Sequence, residues 1–460
     1  MTVSRAAAAF ALLLSGAALA QEDRPAYVRA LAAGYKAAFV CSNLFNGGIS
    51  QEQTEADDLR GTYAALNPIF PALTAKVDRQ NRTVSVAYDG AMPPRIAVWR
   101  PSLGCTQLPI GAGPDAAASL PRIGIRPPDL DARAWPTGDR NALAPAGARS
   151  AAMQRVVATA FDRRTYGQGS ETTAVVVVRN GHIVQERYRP DLNMHSSQRT
   201  WSVAKSIAGT VVGAAVQQGL IDVAAPSPVP EWQRAGDPRQ RITTDQLLRM
   251  ASGLHSDHAG NRTDALYFGG VAVADQAGGW PLVAPPGTVF RYANNDTVLA
   301  IRGLQHVLGD GEKSLRFPFE SLFWKVGMTR TVPETDWRGH FVMSSQVWTT
   351  ARDLARLGLL HLNDGMWNGE RILPPGWRDY VRGHGAAQPA TGFGYGATWW
   401  TFPAASDLPQ DAIVAQGNRG QYLVVIPSRA LVIVRRGFDG TGMNFDVTRF
   451  TRDLLAALPA

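Results

Sequence analysis

The chain has 460 residues, 45% of them apolar and 18% charged, a globular composition that excludes a disordered protein. That length exceeds one ordinary core, so two domains, or one large and one small, are expected. The formal net charge is +8, but no basic run is interleaved with aromatics; nucleic acid is not an expected partner, whereas an anionic cell-envelope polymer is a candidate one.

Residues 1–20 begin with the positive stretch MTVSR, continue with AAAAFALLLSGAALA and close on Ala18-Leu19-Ala20. This is the pattern of a secretory signal peptide cleaved after Ala20, and it implies a periplasmic or secreted protein. No later apolar run is long enough to span a bilayer, so no integral membrane segment is expected after cleavage. Cys41 and Cys105 are the only two cysteines. In an oxidising compartment they are expected to pair as a disulfide; the alternative is two buried free thiols.

Residues 21–115 read as a small N-terminal α+β domain. PAYVRALAAGYKAAFVCSNLF has helical spacing, and RTVSVAYDG and RIAVWRPSLGC alternate as strands. This region carries no catalytic pattern and is read as a docking module, a substrate cover or a structural cap. Residues 116–150, rich in Pro, Gly and Ala, read as an extended connector.

Residues 151–460 have a different grammar. AVVVVRNGHIVQERY predicts a hairpin turning at Asn180-Gly181. Thr243 with Gln246, and Thr350 with Asp353, have N-cap spacing ahead of apolar helices. QYLVVIP and ALVIVRR predict a second hairpin, and FDVTRFTRDLLAAL a closing helix. Strands at both ends with helices between them predict an α/β fold: an antiparallel β-sheet flanked by helices, with an inserted helical subdomain.

The most apolar helix begins at TWSVAKSIAGT. Ser202 and Lys205 are three apart and face the same way. Burial among Val203, Ala204, Ile207 and Ala208 would lower the lysine pKa, and a neutral lysine beside a serine hydroxyl is a base beside a nucleophile. The alternative is a serine that caps the helix and a lysine that snorkels to solvent. Lysine occurs at five positions, 36, 76, 205, 313 and 325, and only Lys205 has a serine three residues earlier. Of the eleven tyrosines only Tyr292 stands in a Y-x-N pattern, with Asn294. A tyrosine near a neutral lysine can relay protons, and an asparagine amide can hold the lysine; the alternative is a surface turn. Finally, GNRGQYLVVIP places Gly417 and Gly420 at the start of a strand, where backbone can approach a substrate closely, or where an ordinary turn sits.

These three motifs, in this order, resemble those of the serine hydrolases that include class C β-lactamases, penicillin-binding DD-peptidases and related esterases. WSVAKS, ITTDQLLRMASGL, PGTVFRYANND, GFGYGATWW and GNRGQYLVVIP are most similar to the 6-aminohexanoate-dimer hydrolase branch. The resemblance covers roughly residues 165–460. It implies that Ser202 is acylated, that Lys205 takes its proton, that Tyr292 relays protons to the leaving group and that Asn294 positions Lys205. It further implies an oxyanion hole from the backbone amides of Ser202 and Gln421, substrate contacts from Asn418, Arg419 and Gly420, and no metal or cofactor. The β-lactamases and peptidases carry Lys or His at the first position of the third motif, where Asn418 stands here. That departure disfavours penicillin turnover and leaves Arg419 as the substitute cation.

His182 and His195 lie in no G-x-S-x-G context, so a Ser-His-Asp site is not expected. The stretch HSDH at 255–258 reads as a polar loop rather than a metal pair. Trp348 and the Trp399-Trp400 pair are read as core, with the substrate cleft as the alternative. The expected function is an exported acyl-serine hydrolase acting on a small-molecule ester or amide. The alternatives are a β-lactamase or penicillin-binding peptidase with the same chemistry, and a non-catalytic binding module on this scaffold.

Overall fold

In a computed structural model, residues 6–145, 150–255, 264–440 and 442–458 are described, with side chains from residue 25 onward. The side chains of the expected signal peptide, and Ser256, Asp257 and His258 of the HSDH stretch, lie outside the described residues. Among the described residues no helix is long and apolar enough to cross a membrane.

Small and aromatic residues give helix α1 (Ala6–Gly47) its buried face, which includes Ala33, Tyr35, Ala37, Phe39 and Val40. It packs on a four-stranded antiparallel sheet in the order β1 (Ala75–Asp78), β2 (Thr83–Val86), β3 (Arg95–Arg100), β4 (Gly104–Gln107). RIAVWRPSLGC, expected as one strand, is therefore a hairpin. It turns where Ser102 and Gly104 take φ of 61° and 59°. Cys41 and Cys105 are disulfide-bonded, joining α1 to β4. The buried carboxylate of Glu334 accepts from Ser42 Oγ at 2.6 Å, Asn46 Nδ2 at 2.9 Å and Cys105 N at 2.9 Å. The N-terminal elements share one continuous apolar core with the rest of the chain: the Phe39 ring lies 6.0 Å from both Trp201 and Trp348.

Residues 120–145 carry little regular structure. They are pinned by their own polar groups: Trp135 Nε1 donates to Gly181 O at 2.8 Å, and Arg356 donates to Pro136 O and Gly138 O, both at 2.7 Å.

Helix α2 (Ala151–Thr159), capped by Ser150, leads into β5 (Thr172–Arg179) and β6 (His182–Tyr188). Asn180 and Gly181 connect them with φ of 50° and 81°, both positive as a type I′ turn requires. A short strand β7 (Gln198–Arg199) precedes helix α3 (Val203–Gln217), and helix α4 (Asn294–Val307) follows after the inserted helical region. Strands β8 (Val332–Pro333) and β9 (Val347–Thr349) form a three-stranded sheet with β7 in the order β7-β9-β8. Helix α5 (Ala351–Leu362) is capped by Thr350, as its spacing with Asp353 predicts. The chain returns through β10 (Gly394–Tyr395), β11 (Trp400–Thr401), β12 (Ile413–Gly417), β13 (Gln421–Ile426) and β14 (Leu431–Gly437) to helix α6 (Val447–Ala456).

The central sheet has seven antiparallel strands in the order β10-β11-β12-β13-β14-β5-β6. The early hairpin joins the late one, with Val176 opposite Val434. β5 is buried on both faces, which explains its unbroken valine run. Val175 and Val177 pack with Met153, Phe450 and Leu454 of α2 and α6. Val176 and Val178 belong to the opposite core, with Leu354 and Leu357 of α5 and Val211 of α3. The predicted architecture, an antiparallel sheet flanked by helices with helices inserted between its ends, is the one observed.

Candidate active site

Ser202 is placed by three consecutive features. β7 pairs Gln198 with Thr349 and Arg199 with Trp348. Trp201 then takes φ of 50°, a left-handed conformation that costs a non-glycine residue about 1–2 kcal/mol. The Arg199 guanidinium holds it, lying 4.1 Å over the Trp201 ring and 4.8 Å over Phe39. Ser202 occupies the N-cap position of α3, but its hydroxyl makes no capping bond. The capping alternative therefore fails, and the hydroxyl faces a cleft of about 440 Å³.

One turn on, Lys205 is 1% exposed. Its Nζ donates to Asn294 Oδ1 at 2.6 Å and to Ser344 O at 3.0 Å, and lies 3.4 Å from Ser202 Oγ. It does not snorkel. Burial lowers its pKa to about 7, opposed by the nearby Asp296 and assisted by Arg199. The neutral amine needed for proton transfer is thus accessible at physiological pH.

The Y-x-N motif lies at the start of α4, not in a surface turn. The Tyr292 ring centre is 4.9 Å from Lys205 Nζ, and Tyr292 lines the same cleft as Ser202. Burial pushes its pKa above the usual value, so the phenol keeps its proton. Two residues beyond Asn294, Asp296 is buried and accepts from Ser252 Oγ at 2.9 Å; burial raises its carboxyl to about 7.

The third motif differs from expectation in detail. β12 ends at Gly417, where a Cβ would lie 2.5 Å from Thr200 O and 3.1 Å from Ser202 N. Only glycine allows that strand end to reach the Ser202 amide. Asn418, exposed, lines the cleft, and its Oδ1 accepts from Arg419 N at 2.9 Å. Gln421 lies across the hairpin, opposite Gly417. Its side chain is buried, donating to Gly437 O at 2.6 Å and accepting from Arg436 Nε at 2.6 Å. The strand end that approaches the Ser202 amide is Gly417, with Asn418 beside it in the cleft. Gly420 also turns away, its carbonyl accepting from Arg435 Nη1 at 2.8 Å. Arg419 cannot serve as the substitute cation. Its guanidinium is buried and donates to the carbonyls of Asp57, Asp58, Arg60 and Phe438 and to Thr62 Oγ1.

The remaining lining includes residues with no motif to announce them: Tyr63, Tyr267, Tyr422 and Asn444. The tryptophans divide. Trp400 lines the cleft, whereas Trp348 and Trp399 are fully buried core. No lysine or arginine lines the cleft among the described residues; Lys205 is buried behind Ser202. The arrangement combines a serine hydroxyl free of any capping bond, a buried amine of lowered pKa, a protonated phenol and the first amide of a helix in an aromatic, neutral cleft. That set suits acyl transfer.

Comparison with known proteins agrees with this chemistry. The sequence matches the family described as Beta-lactamase over residues 154–436. The 6-aminohexanoate-dimer hydrolase of Paenarthrobacter ureafaciens is 28% identical over 300 residues, which span 57% of this chain and 72% of that protein. A family VIII carboxylesterase of known structure superposes with a TM-score of 0.53 at 18% identity, over 67% of this chain and 96% of its own. A penicillin-binding protein homologue from Caulobacter crescentus gives 0.53 at 16% identity, over 69% and 99%. At those identities the two structures share the fold.

Proposed function

The chain belongs to the Beta-lactamase family of hydrolases, and we propose that within it the protein is an exported serine hydrolase that cleaves small neutral esters or amides through an acyl-enzyme on Ser202. The observation that carries this reading is the contact set of Lys205: 3.4 Å from Ser202 Oγ, bonded to Asn294, and buried to a pKa of about 7. Neutral Lys205 accepts the Ser202 proton as Oγ attacks the substrate carbonyl carbon. Tyr292, beside Ser202 in the cleft, passes a proton to the leaving alkoxide or amine as the acyl bond breaks. The Ser202 amide, at the start of α3, stabilises the oxyanion together with an amide of the Gly417-Asn418 segment. Water then attacks the acyl-enzyme, with the same pair returning the proton to Ser202.

The neutral cleft supports an uncharged acyl group. The Paenarthrobacter ureafaciens relative is named for an amide, a 6-aminohexanoate dimer, whose two ends are charged, so the likeness supports amide cleavage rather than that particular substrate. The β-lactamase or peptidase reading has less support, because Arg419 is committed elsewhere and Asn418 supplies no charge for a substrate carboxylate. Export is supported by the pattern of residues 1–20 and by the disulfide.

The test is hydrolysis of p-nitrophenyl acetate and butyrate beside a chromogenic cephalosporin. The esters are expected to turn over and Ser202→Ala to abolish it, with the cephalosporin turned over slowly or not at all. Undiminished ester turnover by Ser202→Ala would remove Ser202 as nucleophile, and rapid catalytic cephalosporin turnover would favour the β-lactamase reading.

A further inference from the structure

Arg419 has no role in the chemistry just described, yet it is 5% exposed and makes five hydrogen bonds. Four go to residues 57–62: Nη1 to Asp58 O at 3.2 Å, Arg60 O at 3.1 Å and Thr62 Oγ1 at 2.7 Å, and Nη2 to Asp57 O at 2.7 Å. Three main-chain carbonyls on one guanidinium make a clamp on backbone, independent of the side chains it passes. Arg419 takes φ of 59°, and this left-handed turn carries its side chain away from the cleft that Asn418 faces.

The clamped segment ends at Tyr63, whose ring lines the same cleft as Ser202. Tyr63 is wedged by aromatic contacts, edge-on to Phe268 at 5.0 Å and to Tyr35 at 5.6 Å, and tilted against Trp201 at 6.4 Å. Asn67 Oδ1 receives both Thr62 N at 3.2 Å and Tyr63 N at 3.4 Å. One end of the segment is thus tied to the loop beside Ser202, and the other presents an aromatic wall to the acyl site. Residues 57–63 lie outside the 154–436 family match, so this wall comes from the N-terminal segment.

We propose that residues 57–63 form one wall of the acyl-binding cleft, with Tyr63 a specificity-determining residue and Arg419 the positioning residue that holds it there. The inference rests on the acyl-serine reading of Ser202. The N-terminal segment then sets which acyl group fits, while the family domain performs the chemistry.

The test compares kcat/KM for p-nitrophenyl hexanoate and acetate, with Ser202→Ala as control. Tyr63→Ala is expected to raise the hexanoate/acetate ratio by about tenfold, the scale on which a pocket discriminates among added methylenes. Tyr63→Trp is expected to lower the ratio, and Tyr63→Phe to preserve it. Arg419→Met, which removes no side chain that lines the cleft, is expected to shift the ratio the same way as Tyr63→Ala, with Arg419→Lys intermediate. Should Tyr63→Ala fail to fold, as judged by circular dichroism, Tyr63→Trp decides. A ratio unmoved in folded Tyr63 variants, with turnover still dependent on Ser202, would overturn the wall and leave the hydrolase reading intact. Turnover independent of Ser202 would overturn both.

Discussion

Lys205 Nζ donates to Asn294 Oδ1 at 2.6 Å, and this bond joins two motifs that lie on different helices. With Ser344 O as a second acceptor, the amine is fixed one turn from Ser202 and sealed from water. The burial that disfavours a charge there is what makes the amine a base.

The first consequence is a pH profile. Lys205 must be neutral to accept a proton, and its pKa is lowered to about 7. kcat/KM for p-nitrophenyl acetate is expected to rise with pH through that value and then level off, since Tyr292 stays protonated. A flat profile between about pH 5 and 9 would contradict the role of Lys205 as base.

Asp296 is expected to move that limb. Its carboxylate opposes the lowering of the Lys205 pKa. Asp296→Asn keeps an acceptor for Ser252 and removes the charge, so the rising limb should shift to lower pH. A shift to higher pH would show that the carboxylate does not act on Lys205.

The same burial has a cost in stability. Between about 7, the folded pKa of Lys205, and 10.5, its ordinary value, the unfolded chain binds the extra proton. Stability therefore rises with pH across that window, and the penalty is fully present below it. Lys205→Met abolishes activity and removes this penalty. Its Tm relative to wild type is expected to be highest near pH 7 and to fall towards pH 10; a constant difference would contradict the buried, easily neutralised lysine.

The disulfide closes a separation of 64 residues, which on the chain-entropy account stabilises the fold by about 4 kcal/mol. Cys41→Ser with Cys105→Ser should lower Tm measurably in thermal melts, and more than the single substitution Ser42→Ala. An unchanged Tm would show that the α1–β4 junction is held by Glu334 and packing alone.

Residues whose roles depend on local spacing could be read from the sequence. Ser202, Lys205, Tyr292 and Asn294 sit on two helix starts, and helical geometry alone turns S-x-x-K into a facing pair. The hairpin at Asn180-Gly181 and the caps at Thr243 and Thr350 were visible for the same reason. What depends on tertiary direction was not. Arg419 neighbours the cleft in sequence, but its left-handed backbone sends the guanidinium to residues 57–62. The family resemblance points to Gln421, whereas the strand end that approaches the Ser202 amide is Gly417, and glycine carries no side-chain signal for that approach. Ser344 acts through its carbonyl, which no residue type encodes. Asp296 resembles an ordinary acidic residue in a first helical turn, and only its burial reveals the coupling to Lys205. Tyr63 comes from a segment without any catalytic pattern, and only the fold brings it opposite Ser202.

The most direct test of the central claim is intact mass after brief exposure to p-nitrophenyl butyrate and an acid quench, followed by peptide mapping. The wild-type protein is predicted to gain the mass of one butyryl group, on the peptide that contains Ser202, and Ser202→Ala to gain none. A butyryl adduct that maps to another residue, or that persists in Ser202→Ala, would contradict the account.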